Sequence, residues 1–470
     1  MSNVVLISPP YVKDYMRNAR CDFVSLSNSS WYPIWLAQAG AYIESRGHRT
    51  RMLDAQVMDL THEQALQQIS DFDADVVVVY TGRLSEDNDI EFGDRVARDG
   101  LTVVFAGPYT SIDPQSVLKK AEHVKLAVRR EFDLPIEELA SGQAPADIQN
   151  FVIKDASGEI TANEVRPLYK TEILDTFPNT TPFLHRQVDI YRYKSPELFP
   201  FMDVMSGRGC AWGRCNFCLW VQTFVPGSVY NLRSIDHFMG EFDYIVNSMP
   251  EIRSVMIQDD MLTNKRAREI SEAILERGYD IRWSCYAKPN SKLSRETLRL
   301  MARSGCLNLH VGFESGDDDV LDKIDKGSTV AQAKEFAEMV HEAGLRIHGD
   351  FAMGHFGETK DSMQRTLELA REINPHTAQF QLMIPFKGTK FHDQLDEAGA
   401  WSKSGEPTYE HMGGASSEEI RSAAKAAYRS FYISMSYLKR VIAEPREYFF
   451  NRLDQYVRAI PAVTWRRWQK

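Results

Sequence analysis

The chain has 470 residues, with 55 Lys plus Arg against 65 Asp plus Glu and a formal net charge of −10. That length predicts two or three domains, and 43% hydrophobic with 26% charged residues is an ordinary globular composition. The acidic balance repels phosphate backbones, so no nucleic-acid partner is expected, Arg466-Arg467 being a local basic exception. No run approaches eighteen apolar residues, so no membrane span is expected. The opening MSNVVLISPP lacks a basic segment followed by an apolar run, and a cytoplasmic location is expected.

In chain order, Val4 to Ile7 reads as a strand stopped by Ser8-Pro9-Pro10. Ile34 to Arg46 has helical periodicity and stops at Gly47. Thr50 to Leu53 is a second strand, and Thr61 to Ile69 a second helix. The β-branched runs Asp75 to Tyr80 and Leu101 to Phe105 read as strands buried on both faces, with a helix over Ile90 to Arg98 between them. Val124 to Val128 is expected to be the last strand. This alternation predicts an open doubly wound parallel sheet over residues 1–145, with ligands beyond the C-terminal strand ends. Those ends carry Ser8, Pro9 and Pro10, then Asp54, then Thr81, Gly82 and Arg83, then Gly107, Pro108 and Tyr109.

Residues 146–195 lose the rhythm and are expected to form a surface linker. From Phe201 the alternation returns, with strands at Phe201 to Met205, Val255 to Gln258, Ile281 to Tyr286, Asn308 to Gly312, Arg346 to Met353 and Ala378 to Met383. Helices lie between several of them, which predicts a (β/α)6 partial barrel over 196–400. Residues 401–470 read as a helical, aromatic-rich segment. Its Tyr428, Phe431, Tyr432, Tyr437, Tyr448, Phe449 and Phe450 are expected to pack helices rather than touch substrate.

Six cysteines in 470 residues are no disulfide framework. Three of them, Cys210, Cys215 and Cys218, fall on one loop after a barrel strand. Three thiolates hold three irons of a cubane and leave the fourth open. A zinc site wants a fourth ligand, and no Cys or His lies near in sequence. Cys285 and Cys306 read as core residues, and Cys21 has no assigned role.

The loop, Ser206-Gly-Arg-Gly-Cys210-Ala-Trp-Gly-Arg-Cys215-Asn-Phe-Cys218, resembles that of radical S-adenosylmethionine (SAM) enzymes. Its spacing of four and two residues departs from their usual three and two. Gln258-Asp259-Asp260 and Val311-Gly-Phe-Glu314-Ser315-Gly316 are similar to later segments of that family. The resemblance implies a [4Fe–4S] cluster on the three cysteines. It also implies SAM contacts from Phe217, Gln258, Asp259, Asp260, Lys288, Glu314 and Ser315. Asp259 and Asp260 are open to a second reading as caps of the following helix. Lys326, in Asp325-Lys326-Gly327-Ser328, reads equally as an exposed lysine or as part of a family Lys-Gly turn.

Ile7-Ser-Pro-Pro10, Leu53-Asp54-Ala55 and Phe105-Ala-Gly107-Pro108 resemble the cobalamin-binding domain of cobalamin-dependent members of the family. Glu131 follows Arg130 where that family often has Gly-Glu, and it joins the implied cobalamin contacts. Asp54 is followed by Ala55 and Gln56, so no histidine ligand to cobalt is evident, and His48 reads as structural. The combined resemblance implies methyl transfer through methylcobalamin to an unactivated atom, after a 5′-deoxyadenosyl radical removes a hydrogen. A cyclase or rearrangement without net methylation is the alternative. A small-molecule or peptide substrate and an electron donor such as flavodoxin or ferredoxin are the implied partners. No catalytic residue is assigned.

Overall fold

The computed structural model describes residues 1–17, 22–24, 29–98, 100–194 and 198–443. The chain divides into two compact units. The first holds residues 1–195, 199–209 and 219–253, and the second holds 196–198, 210–218 and 254–470. Cys21, Tyr448, Phe449, Phe450 and Arg466-Arg467 lie outside the described residues.

The first unit carries β1 (Asn3–Ser8), β2 (Tyr15–Arg17), β3 (Asp22–Val24), β4 (Arg49–Asp54), β5 (Val76–Tyr80), β6 (Thr102–Ala106), β7 (Leu126–Val128), β8 (Phe151–Lys154) and β9 (Ile160–Ala162). Its main sheet runs β4-β1-β5-β6-β7-β8-β9. The first five of these are parallel. Val76 to Tyr80 are all buried, as a central strand covered on both faces requires. Chain order reverses between β1 and β5, which makes that gap the topological switch point.

The sheet does not end at β7. Residues 151–162, expected as linker, add β8 and β9 antiparallel to its edge. Phe151 and Val152 are fully buried while β9 is largely exposed, so the pair covers an edge rather than filling a core. Two strands this short in a proline-bearing stretch lack the β-branched run that marks the central strands. Residues 171–174 and 181–187 of the same stretch are helical. The first unit also holds β10 (Phe201–Val204), then β11 (Gly207–Arg208) and β12 (Asn231–Leu232), which pair antiparallel.

In the second unit β13 (Ser254–Ile257), β14 (Arg282–Ala287), β15 (Cys306–Glu314), β16 (Arg346–Met353) and β17 (Thr377–Leu382) pair in chain order, all parallel. Helices at Asn264–Glu276, Arg295–Arg303, Val330–Glu342 and Lys360–Ile373 connect them. Each begins on a Ser or Thr whose side chain accepts a backbone N–H. The helix Ser417–Tyr432 packs its aromatics outside the last strands, with Tyr428 and Phe431 against Phe380. Tyr432 and Tyr437 meet edge to face, ring centroids 4.8 Å apart, as expected for helix packing. Cys285 and Cys306 are buried on β14 and β15, neither in a disulfide. No described helix is long and apolar enough to cross a membrane.

Candidate active site

The loop that carries Cys210, Cys215 and Cys218 belongs to the second unit. None of the three is in a disulfide; the first two are buried and Cys218 is half-buried. The loop is tied to residues 323–327 by main-chain and side-chain bonds. Asn216 N donates to Ile324 O at 3.0 Å, and Trp212 Nε1 donates to Asp325 O at 2.7 Å. Arg214 Nε meets Asp325 Oδ2 at 3.0 Å. The four-residue spacing between Cys210 and Cys215 therefore has a local use: it carries Trp212 over Gly327.

That packing needs glycine twice over. Gly327 sits at φ +70°, and a Cβ there would fall 2.0 Å from the Trp212 ring. Gly327→Ala is expected to push Trp212 off the loop at a cost of about 1–3 kcal/mol. Iron content after anaerobic reconstitution should drop with it, and full iron loading in the variant would contradict this account.

Two buried lysines face the thiols. Lys288 Nζ lies 4.0 Å from Cys215 Sγ, donates to Lys326 O at 2.8 Å and sits 4.7 Å over the Trp212 ring. Burial and the neighbouring Lys326 cation lower its pKa to about 8. Lys326, one of the two readings left open above, is buried rather than exposed and donates to Glu314 Oε1 at 2.7 Å. Burial works against its charge, but Glu314 and the thiols of Cys215 and Cys218 raise its pKa overall. Burial and then Asp260 push the Cys210 thiol up. Cations beside sulfur, little solvent and an aromatic cover suit an anionic iron–sulfur cluster. Among the described residues no group of three or more His, Cys, Asp or Glu is arranged for a single metal ion.

Glu314 owes its position to a bulge. The β15–β16 register shifts between Gly312 and Glu314, and Glu314 takes φ +65°. Such a residue is held by its surroundings and re-aims a side chain at a strand end. Ser315 beside it is fully buried, its Oγ 3.2 Å from Thr366 Oγ1. Gln258 and Asp259, at the end of β13, are buried, and Asp260 is partly exposed. The following helix is capped by Thr263, which removes the capping reading of Asp259 and Asp260. Phe217, between two of the cysteines, packs 5.4 Å from the His355 ring. Sequence reasoning did not single out Trp212 as a cover for Lys288, since its partners lie more than seventy residues away.

The loop after β16 holds a second titratable group. Glu358 is fully buried, and one of its oxygens accepts N–H from Gly354 at 2.6 Å and His355 at 3.1 Å. Burial raises its pKa to about 8 despite these bonds. A carboxyl raised on folding contributes stability below its unfolded value, and that stability is lost as pH rises through about 8. Urea midpoints of the wild type should therefore fall between roughly pH 5 and 8, and Glu358→Gln should flatten that slope. An unchanged slope in the variant would rule Glu358 out as its source.

In the first unit, the predicted cobalamin residues gather at the ends of the parallel strands. Ser8 to Pro10 and Thr81 to Arg83 flank the switch point, with Asp54 after β4 and Gly107 to Tyr109 after β6. Gly107 at φ +120° lets the chain pass close to β5, where a Cβ would be 2.6 Å from Thr81 O. Thr81 Oγ1 bonds Ala106 O at 2.9 Å and Thr110 Oγ1 at 2.6 Å. Asp54 accepts from Tyr193 Oη at 3.1 Å, and burial raises its pKa to about 6. Burial, then Glu86, raises the Tyr109 phenol. Arg17 from the β2–β3 hairpin is buried at the same gap, ion-paired with Asp89, whose other oxygen accepts Gly82 N at 2.9 Å. The sequence carried no periodic signal for that pair.

Glu131 is a correction. It is buried, with Oε1 on Arg208 Nη1 at 2.9 Å and Oε2 on Tyr169 N at 3.0 Å. Both oxygens are taken within the protein, so its role is a structural ion pair rather than a ligand contact. His48 is structural as expected: Nδ1 accepts Ser2 N at 3.2 Å and Nε2 lies 3.2 Å from Ser141 Oγ.

The Radical SAM superfamily matches residues 204–370 of the chain, and the B12 binding domain matches residues 20–140. An uncharacterized methyltransferase of Pyrococcus horikoshii is 26% identical over 438 residues, covering 89% of this chain and 92% of its own. An anaerobic magnesium-protoporphyrin IX monomethyl ester cyclase of Rubrivivax gelatinosus is 23% identical over 389 residues, covering 79% of this chain and 67% of its own. Among solved structures, the radical SAM methyltransferase TsrM of Kitasatospora setae, with cobalamin and a [4Fe–4S] cluster bound, aligns with a TM-score of 0.66 and 18% identity. That alignment covers 85% of this chain and 79% of the other, and it is a likeness of fold.

Proposed function

We propose, from the premise that the chain belongs to the cobalamin-dependent radical SAM enzymes, that it transfers a methyl group to an unactivated atom of a small-molecule or peptide substrate. Its cofactors are a [4Fe–4S] cluster, SAM and cobalamin. When bound, the cluster supplies the electron that cleaves SAM, and cobalamin carries the methyl group. The observation that carries the proposal is the joint presence of a three-thiol loop facing two buried lysines and a doubly wound sheet with a topological switch point.

In this proposal Cys210, Cys215 and Cys218 hold the cluster. Lys288 and Lys326 offset its negative charge, and Trp212 keeps water from it. Glu314 and Ser315, with Gln258, Asp259 and Asp260, bind and orient SAM by its ammonium and ribose hydroxyls, and Phe217 adds an apolar contact. The loops at Ser8 to Pro10, Asp54, Thr81 to Arg83 and Gly107 to Tyr109 bind cobalamin. A flavodoxin or ferredoxin is the proposed electron donor.

The test is product analysis on anaerobically reconstituted enzyme with cobalamin, SAM and a reductant. Methyl transfer yields S-adenosylhomocysteine together with 5′-deoxyadenosine. The cyclase-named relative favours a second reading, cyclisation without methylation. It predicts 5′-deoxyadenosine with no S-adenosylhomocysteine, and that result would replace the first reading.

A further inference from the structure

An aromatic cluster stands at the C-terminal ends of the first sheet. Trp35 is the second residue of the helix Ile34–Ser45, which lies between β1 and β4 in the chain. A helix joining two parallel strands runs back against them, so its first turn lies at their C-terminal ends. Phe224 stacks on Trp35 at 4.6 Å and on Trp220 at 4.9 Å, and Trp35 lies 6.3 Å from Trp220, with interplanar angles of 17, 19 and 9°. On its other side Phe224 is 6.2 Å from Phe132, and Phe132 is 6.4 Å from Tyr80, the last residue of β5. The cluster thus reaches from Trp220 to the residue before Thr81, at the switch point. All of these rings belong to the first unit.

Trp220 is 7% exposed, and among the described residues its indole Nε1 is buried without a hydrogen-bond partner. The stacked rings hold the indole plane, so its N–H keeps one direction. An indole nitrogen only donates, and an unmet buried donor costs stability. What it calls for is an acceptor. A neutral acceptor suits the surroundings, because the neighbouring rings are apolar. Arg208, which lies 4.7 Å over Trp35, is already matched by Glu131 and Asp133. An unmet donor at the ligand end of a doubly wound sheet fits a bound molecule with neutral carbonyl groups on its rim. A corrin ring has such a rim in its carboxamide arms.

We propose that the Trp220 indole N–H donates to a carboxamide oxygen of the corrin ring, so that Trp220 binds cobalamin together with the strand-end loops. The proposal rests on the cobalamin reading above. The contact needs neither the cobalt nor the nucleotide tail, and its strength follows the acceptor strength of the arm. Replacing amide by ester weakens that acceptor and leaves the ring in place. Because the stack fixes the N–H direction, the contact also sets the rotation of the corrin in its own plane.

The test is equilibrium dialysis of the full chain, with its cluster reconstituted, against hydroxocobalamin, cobinamide and heptamethyl cobyrinate. Cobinamide keeps the carboxamides and lacks the nucleotide tail, and in heptamethyl cobyrinate methyl esters replace the carboxamides. Trp220→Phe keeps a stacking ring and removes the N–H. It is expected to weaken cobalamin and cobinamide by about fivefold and the ester by less than about twofold. Unchanged affinity for cobinamide overturns the proposal. So does an equal loss for cobinamide and the ester, which is the mark of lost packing alone. Cluster absorption verifies that the variant is folded, and Trp220→Tyr replaces it if it is not. A wild type that binds none of the three would sink the cobalamin reading itself, whereas corrinoid binding that the variant leaves unchanged sinks only the Trp220 contact.

Discussion

Replacing Cys210, Cys215 and Cys218 together by Ala is expected to reduce both bound iron and 5′-deoxyadenosine formation to background. The three thiols are on one loop, two of them buried, and none is spent in a disulfide. A cubane held by three thiolates has no substitute ligand to fall back on, since the described residues assemble no other metal-binding group. Without the cluster, Lys288 and Lys326 lose the negative charge they face, and Lys326 keeps its ion pair with Glu314. Lys288, already lowered to about 8 by burial and by Lys326, is expected to shed its proton more readily in the variant. Iron and sulfide analysis with product chromatography checks the first effect. SAM cleavage that survives in the triple variant would refute the cluster-based reading altogether.

Arg208→Met is expected to destabilise the protein by about 3–5 kcal/mol at pH 8, the usual consequence of removing one member of a buried ion cluster. The Arg208 guanidinium bridges Glu131 and Asp133 and also reaches Gln38 Oε1, at 2.8 to 3.1 Å. Side-chain exposure is 2% for Arg208, 3% for Glu131 and 1% for Asp133, so solvent screens little of this. Trp35 lies under the guanidinium at 4.7 Å. Arg208→Lys should not rescue, because an ammonium lacks the planar fork that spans two carboxylates. The deficit should depend on pH in a stated direction. Burial already raises Glu131 to about 7, and loss of the cation raises it further. A raised carboxyl keeps its stability contribution at low pH and loses it as pH rises through the folded value. The variant should therefore lie closer to wild type at pH 5 than at pH 8. A urea titration at both values checks this, and a deficit under about 1 kcal/mol at pH 8 would mean the cluster carries no such stability.

The two parallel sheets were legible because buried strands have continuous β-branched runs, as in Val76 to Val79. The cysteine loop was legible because its three ligands are close in sequence. What escaped was set by contacts at long range. The β8–β9 pair looked like linker since three or four residues carry too little periodicity. Lys326 was undecided because its burial depends on Glu314, aimed by a bulge that composition does not reveal. Glu131 was misplaced because its cation, Arg208, is 77 positions away.

The first sheet has a property that bears on solution behaviour. Open sheets invite other chains at their outer strands. On one side, the outermost strand is the three-residue Ile160–Ala162, short and largely exposed. On the other, the Gln187 side chain accepts from Met52 N at 3.1 Å and donates to Thr50 O at 3.4 Å, imitating a neighbouring strand. Both borders are thereby finished within the chain. A foreign extended peptide gains little by lying alongside either, so self-association through strand addition is disfavoured even at high concentration.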